Sequence, residues 1–187
     1  ETGNKDKALD YYIRSFKISE EIGDKRGMGN NLNGIGGVYL NIGDYEKALG
    51  YHKRSLKIDE ELDNKHGMGY SLKNIGAVYF ETGNKDKALD YYTRSFKIRE
   101  EIGHKYGMGS SLNGIGGVYL NTGDYEKALD YYKRSLKIDE ELGDMHGMGY
   151  NLNSIGIIYY YKGDDEKALD YHERSLKVDE ELGDKRG

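Results

Sequence analysis

Ile35-Gly36-Gly37-Val38-Tyr39 decides how this chain is read, because the string comes back three times. It returns as Ile75-Gly76-Ala77-Val78-Tyr79, as Ile115-Gly116-Gly117-Val118-Tyr119 and as Ile155-Gly156-Ile157-Ile158-Tyr159, always 40 residues on. Lys-Ala-Leu keeps the same spacing from Lys7, Lys47, Lys87, Lys127 and Lys167. So does Arg-Ser-(Leu/Phe)-Lys from Arg14, Arg54, Arg94, Arg134 and Arg174. No insertion breaks the register, so one supersecondary unit has been copied along the chain. Glu1 to Ser15 nearly matches Glu81 to Ser95, and Asp44 to Leu62 nearly matches Asp124 to Leu142. Alternate units are therefore more alike than adjacent ones, the mark of a duplicated 80-residue pair.

Each period reads as two helices. The first runs from Lys25 to Leu40, with Leu32, Ile35, Gly36 and Tyr39 on one helical face. Gly43 stands where a helix C-terminus takes a left-handed residue, and Asp44 follows as an N-cap. The second helix runs from Tyr45 to Leu62, with Ala48, His52, Ser55 and Leu56 on one face and Leu49 and Tyr51 beside it. Asp59, Glu60 and Glu61 are expected to keep its end in water. Gly23, Gly103, Gly143 and Gly183 read as stops for the second helix. Asp24, Asn64, Asp144 and Asp184 read as caps for the first helix that follows, and His104 fills that slot once as a poorer cap. No window alternates with period two, so no strand is expected. A helix pair of this kind cannot bury both faces alone, whereas stacked neighbours can. The expected fold is all-α, a right-handed α-solenoid (superhelix) of stacked antiparallel helix pairs. Residues 1–187 read as one array: the second helix of a truncated repeat in 1–27, then full repeats at 28–67, 68–107, 108–147 and 148–187.

Composition narrows the function classes. The 187 residues include no proline, cysteine or tryptophan. Without cysteine there is no disulfide, thiolate metal site or thiol nucleophile. Against 33 acidic residues stand 28 basic ones, and the net charge of -5 disfavours generic nucleic-acid or anionic-membrane binding. No apolar run is long enough to span a membrane, and Glu1-Thr2-Gly3 does not resemble a leader peptide. The expectation is a cytoplasmic piece of a longer protein. All glycines except Gly50 recur in phase, so they act as helix stops, helix starts and close-packing points rather than as flexible linker.

Leu32, Ile35-Gly36 and Tyr39, followed by Ala48 and His52, resemble the tetratricopeptide repeat, whose pattern is W-x2-L-G-x2-Y, then A-x3-F, then P. Leu32 stands at the tryptophan slot. His52 stands at the phenylalanine slot, filled elsewhere by Tyr12, Tyr92, Tyr132 and His172. Glu60 replaces the proline, and the 40-residue period exceeds the usual length of about 34, so the second helix outruns the ordinary stop. The long repeats are similar to those of Pins-type spindle-orientation adaptors and, more loosely, kinesin light chains. Gly23-Asp24-Lys25-Arg26-Gly27 ahead of Leu32 and Ile35-Gly36 carries the adaptor likeness. The resemblance covers essentially the whole chain. It implies a protein-binding scaffold, and a stripe beside the packed face of each first helix that lines a concave surface and holds extended peptides.

Little in the sequence points to catalysis. His52 and His172 occupy a packing slot, while His66, His104 and His146 fall in or near turns, and no spacing suggests a metal. The runs Asp59-Glu60-Glu61 and Asp139-Glu140-Glu141 read as solvated helix ends rather than acid/base pairs, which need a closed site to shift their pKa values. The turn Gly103-His104-Lys105-Tyr106-Gly107-Met108-Gly109 lacks the strand and the G-K-[ST] ending of a phosphate cradle, and Met28, Met68, Met108 and Met148 behind it read as gap fillers. Tyr39, Tyr79, Tyr119 and Tyr159 are assigned to packing, as are Tyr11, Tyr51, Tyr91, Tyr131 and Tyr171. No enzyme and no cofactor are expected.

The implied groove stripe runs through Asn30, Asn33, Gly37, Leu40 and Asn41, then Tyr70, Lys73, Ala77, Phe80 and Glu81. It continues through Ser110, Asn113, Gly117, Leu120 and Asn121, then Tyr150, Asn153, Ile157, Tyr160 and Tyr161. Asn33, Asn113 and Asn153 form a broken amide ladder, and an amide both donates and accepts, so it suits a peptide backbone whatever its side chains. Selectivity falls to residues that differ between copies: Lys73 with Asn74, Tyr70 and Phe80, and the cluster Tyr150, Ile157, Tyr160 and Tyr161. The expected ligand carries an acidic group near Lys73 and an apolar one near Tyr160. The candidate peptide-binding set is therefore Asn30, Asn33, Tyr70, Lys73, Asn74, Phe80, Asn113, Tyr150, Asn153, Ile157, Tyr160 and Tyr161. Two rival expectations are end-to-end self-assembly through exposed Leu169, Leu176 and Val178, and a regulatory arm of a larger signalling protein.

Overall fold

The computed structural model of the protein describes residues 2–184. Helices follow one another in the order α1 (Thr2–Glu21), α2 (Lys25–Ile42), α3 (Tyr45–Glu61), α4 (Lys65–Glu81), α5 (Lys85–Glu101), α6 (Lys105–Thr122), α7 (Tyr125–Leu142), α8 (Met145–Tyr161) and α9 (Asp165–Asp184). Among the described residues there is no strand. The chain forms two compact units: residues 1–102, with α1 to α5, and residues 103–187, with α6 to α9.

In the first unit each helix packs on the next. Leu32, Ile35 and Val38 of α2 and Leu72, Ile75 and Val78 of α4 are buried, with Ala48 and Leu56 of α3 between them. The second unit repeats the arrangement: Ala128, Leu129, Tyr132 and Leu136 of α7 meet Leu152, Ile155 and Ile158 of α8 in one cluster. Burial of these side chains, rather than helix propensity, stabilises the units, at about 1.5–3 kcal/mol for each large apolar side chain. Tyrosines fasten each pair further: Tyr39 stacks on Tyr51 at 5.5 Å, Tyr79 on Tyr91 at 5.4 Å, and Tyr119 on Tyr131 at 5.6 Å between centroids. Tyr11, expected among them, is 68% exposed, because no first helix packs on that side of α1 among the described residues.

The turns follow the sequence reading closely. Gly43 adopts φ +87° after α2, and its N–H and that of Asp44 bond back to Leu40 and Tyr39. Asp44 then accepts from the Lys47 N–H at 3.1 Å. Asp24 and Asp144 cap α2 and α8 through the Gly27 and Gly147 N–H groups. His104 makes no side-chain cap. Three expectations fail. Asn64 stands at the N-cap of α4 but makes no side-chain cap bond; its amide donates instead to Asp59 Oδ1 at 2.7 Å. Gly183 does not stop α9, which runs to Asp184. A glycine permits the left-handed turn but does not impose it. At Gly143 the turn is held by the Asp144 N–H bonding to Asp139, and no such bond occurs beyond Gly183 among the described residues. The cap role read for Asp184 rests on a side chain outside the described residues.

The third failure concerns the carboxylates. Glu60 and Glu61 face water, but Asp59 is 3% exposed and Asp139 4%. The first glycine of the following helix explains it: a Cβ at Gly67 would collide with the Asp59 carboxylate, and one at Gly147 with that of Asp139. Gly67 and Gly147, near the starts of α4 and α8, thus form recesses for the aspartates of α3 and α7.

Candidate functional site

A buried polar chain in the first unit sets the floor of the candidate groove. His52, fully buried, donates from Nδ1 to Asn33 Oδ1 at 2.9 Å. The Asn33 amide donates to Ser71 Oγ at 2.8 Å, and the Ser71 hydroxyl lies 3.2 Å from both Ser55 Oγ and Asp59 Oδ2. Burial, reinforced by the Lys73 charge, lowers the His52 imidazole to about 4, so the ring is neutral and its Nε2 carries no partner. Burial likewise pushes the Asp59 carboxyl up, against the hydrogen bonds from Asn64 and Ser71.

Above that floor lies an open cleft of about 450 Å³ bordered by Arg26, Asn30, Asn33, Asn64, His66 and Tyr70. A second hollow of about 290 Å³ adjoins it and shares Asn30, Asn33 and Tyr70, with the Tyr12 ring and Gly34 on its other side. Asn30, Asn33 and Tyr70, chosen from the sequence, therefore meet in one place. Asn33 is 6% exposed and its carbonyl is already bonded to His52, so what it presents upward is limited. Asn30 and Tyr70 are exposed, Tyr70 by 51%. Lys73, Asn74 and Phe80 are half-buried further along α4.

In the second unit the candidates divide. Tyr150 meets Tyr132 edge-on at 6.3 Å, and Tyr161 stacks on Tyr125 at 5.9 Å with Tyr160 tilted against it at 6.0 Å. Tyr160 is 64% and Tyr161 58% exposed, beside a half-buried Ile157. Asn153 is exposed, and its Oδ1 accepts from His172 Nδ1 at 3.1 Å. The α7 slot that holds His52 in α3 and His172 in α9 is Tyr132, and the Asn113 Oδ1 is buried without a partner.

The sequence pattern of the tetratricopeptide repeat matches residues 1–61, 27–101 and 107–181. The chain belongs to the tetratricopeptide repeat family. Tetratricopeptide repeats are generally non-catalytic interaction repeats, and the paired helices, the small residues at Gly36 and Ala48 and the aromatic or histidine ring between them are that repeat in physical form. No curated protein matches the sequence. Among solved structures, this tetratricopeptide chain is similar to a Rap protein complexed with competence and sporulation factor (TM-score 0.87, 20% identical, 98% of this chain and 52% of that one). It is also similar to aspartyl phosphate phosphatase F from Bacillus subtilis (TM-score 0.85, 19% identical, 97% and 50%). A third likeness is to the nearly identical repeats of a protein named as a kinesin light chain from Podosopora anserina (TM-score 0.74, 12% identical, 97% and 90%). The chain spans about half the length of the first two. At these identities the likeness is one of fold.

Sequence reasoning missed Arg26, Asn64 and His66 at the cleft: Arg26 reads only as part of the adaptor-like motif, Asn64 as a cap and His66 as a turn residue. It also missed Arg99, which is buried at 6% exposure in α5. The signal was present: Asp59, Asp139 and Asp179 occupy that slot in other copies, and a charge reversal in a near-identical repeat is conspicuous. Among the described residues, no group of three His, Cys, Asp or Glu side chains is placed to hold a metal ion, and no helix is long and apolar enough to cross a membrane.

Proposed function

We propose that this tetratricopeptide chain is a non-catalytic interaction module that holds a peptide segment of a partner protein along its first helices. The observation that carries the reading is the cleft shared by exposed Asn30 and Tyr70 over the Asn33 floor. It is open, polar at its base and edged by an aromatic ring, which suits an extended backbone better than a small molecule enclosed on all sides. Arg26 borders the cleft with Tyr70, and Lys73 follows one turn along α4; both favour an acidic segment, in a chain whose net charge is -5. In the second unit Tyr150, Ile157, Tyr160 and Tyr161 supply the apolar contact, with Asn113 and Asn153 on the same stripe. The fold relative complexed with competence and sporulation factor adds support of a general kind. The same reading takes the 40-residue units beginning at 28, 68, 108 and 148 as the working repeats, in a cytoplasmic protein. Fluorescence anisotropy with a panel of acidic-apolar peptides tests it. Peptides selected on the native chain should lose about tenfold in affinity on Tyr70→Ala, the effect of removing one aromatic anchor, and less on Asn30→Ala. Binding indifferent to both substitutions would rule the cleft out.

A second reading is self-association. It is favoured by Leu169 and Leu176 of α9, which stand 60% and 58% exposed.

A further inference from the structure

Lys73 and Arg99 belong to one helix pair, α4 and α5, and both break the repeat. The slot of Lys73 holds Asn33, Asn113 and Asn153 in the other copies, and that of Arg99 holds Ser19 once and otherwise Asp59, Asp139 and Asp179. An amide and a carboxylate have been exchanged for two cations in the same pair.

Their surroundings do not compensate the change. Arg99 is 6% exposed, and its side chain lies along Gly69, with Nε 3.0 Å from where a Cβ would stand. That Nε has no hydrogen-bond partner. Lys73 is half-buried. Burial holds its ammonium below the ordinary lysine range, and the Arg99 charge adds to the effect. Burial likewise holds the Arg99 guanidinium below its ordinary range, and no carboxylate offsets it. Among the described residues, no acidic side chain lies within ion-pair distance of either cation. A buried charge is ordinarily paired, because removal from water is costly unless a counter-charge replaces the lost hydration. A buried guanidinium lying along Gly69, one helical turn from a half-buried ammonium at Lys73 and with no counter-charge, is an arrangement that an incoming anion relieves, and a guanidinium offers it parallel N–H groups.

We propose that Lys73 and Arg99, with Tyr70 at their margin, form an oxyanion site that takes a carboxylate or phosphate group carried by the bound peptide. The proposal rests on the peptide-cleft reading and names the chemistry that the ligand must bring. Gly69 is part of the device: a side chain there would displace the arginine from its seat.

The experiment uses the whole chain and free anions, so that it does not depend on knowing the peptide. Inorganic phosphate, glutarate and chloride are titrated at constant ionic strength. The amide resonances of Gly69, Tyr70 and Lys73 and the thermal midpoint are followed. Phosphate or glutarate should shift those three amides saturably and raise the midpoint by about 2–4 °C near saturation, with no effect from chloride. Lys73→Gln and Arg99→Met should each weaken the response at least tenfold. Arg99→Met removes a buried charge and should fold at least as well as the native chain, and Lys73→Gln provides a second, less buried test. A stronger response to phosphate assigns a phosphate monoester, and a stronger one to glutarate assigns a carboxylate. Equal responses to all three anions, or unchanged affinity in both variants, would overturn the site. Failure of the cleft reading looks different: peptide capture is indifferent to Tyr70→Ala while free phosphate or glutarate still binds at Lys73.

Discussion

Asn151 donates from Nδ2 to Asp139 Oδ2 across 2.6 Å, and both side chains are sealed from water at 0% and 4% exposure. The pair joins α8 to α7, and Asn151 also reaches Ser135 Oγ at 3.1 Å. In the first unit Ser71 plays the part of Asn151 towards Asp59. Each link fixes the register of one helix pair on the next, where the apolar contacts alone would allow sliding.

The link has a cost that pH reveals. Burial, and then the Asp144 charge, push the Asp139 carboxyl up to about 6. A carboxyl whose folded pKa is raised favours folding in its protonated form. Its contribution is therefore best at low pH and declines as pH rises from about 4 to about 6. Asp139→Asn keeps an acceptor for Asn151 and removes the charge. The variant should be more stable than the native chain by about 1–3 kcal/mol at pH 7.5 and close to it at pH 4. Urea unfolding at the two pH values measures the difference, and a variant less stable at pH 7.5 would show that the ionised form is the one the fold prefers.

His52 slopes the other way. Its folded pKa of about 4 lies below the ordinary 6.5, so the native state resists protonation. Its contribution is intact above pH 6.5 and is lost as pH falls towards 4, by about 2–3 kcal/mol in all. His52→Tyr, the residue found as Tyr92 and Tyr132, removes that loss. It also takes the partner from Asn33, so its absolute stability falls by about 1–3 kcal/mol. The informative quantity is the native-minus-variant difference at pH 7 and at pH 4.5, which should shrink as the pH drops. A difference that stays constant would mean that His52 is protonated as freely in the fold as in the unfolded chain.

Most of the architecture was legible because it repeats. Ile35-Gly36, Ala48 and Gly43 each state a local physical need, and 40-residue recurrence confirms every statement several times over. The buried aspartates were not legible. Asp59 stands in a run of acids that reads as solvated, and only the recess at Gly67, a residue in another helix, turns it inward. Arg99 stood out in the sequence as a charge reversal, but its burial was hidden in the same way. The amide ladder was half legible: the spacing of Asn33 and Asn153 put them on one stripe, but that His52 and His172 hold their carbonyls depends on how two helices face each other. Pairings across helices are set by packing, which a single sequence expresses only through residues that change together.

Adjacent glycines in α2 should respond oppositely to the same substitution. A Cβ at Gly36 would stand 2.6 Å from His52 Cε1, inside the contact distance of real atoms, with the imidazole fully buried and unable to swing away. Gly36→Ala should therefore cost about 1–3 kcal/mol by overpacking. A Cβ at Gly37 would meet nothing within 4 Å. Gly37→Ala should stabilise by about 0.5–1 kcal/mol through helix propensity, and the second copy already carries Ala77 there. Thermal melts of the two variants decide the matter, and equal shifts would mean that the helices can separate to admit a methyl group.

Leu169 and Leu176 give the self-association reading its measurable form. They stand two turns apart on α9, 60% and 58% exposed, whereas their counterparts Leu129 and Leu136 on α7 are 6% and 7% exposed beneath α8. Sequence and helix are nearly the same; only the cover differs. Leaving two such leucines in water forgoes about 1.5–3 kcal/mol each, and contiguous apolar surface of this kind recruits contacts. The weight-average mass of the chain should therefore rise with concentration in light scattering. Leu169→Lys combined with Leu176→Lys should hold the mass at that of a monomer while leaving the helical circular dichroism unchanged. A native chain that stays monomeric up to about millimolar concentration would leave the α9 face without a role in assembly.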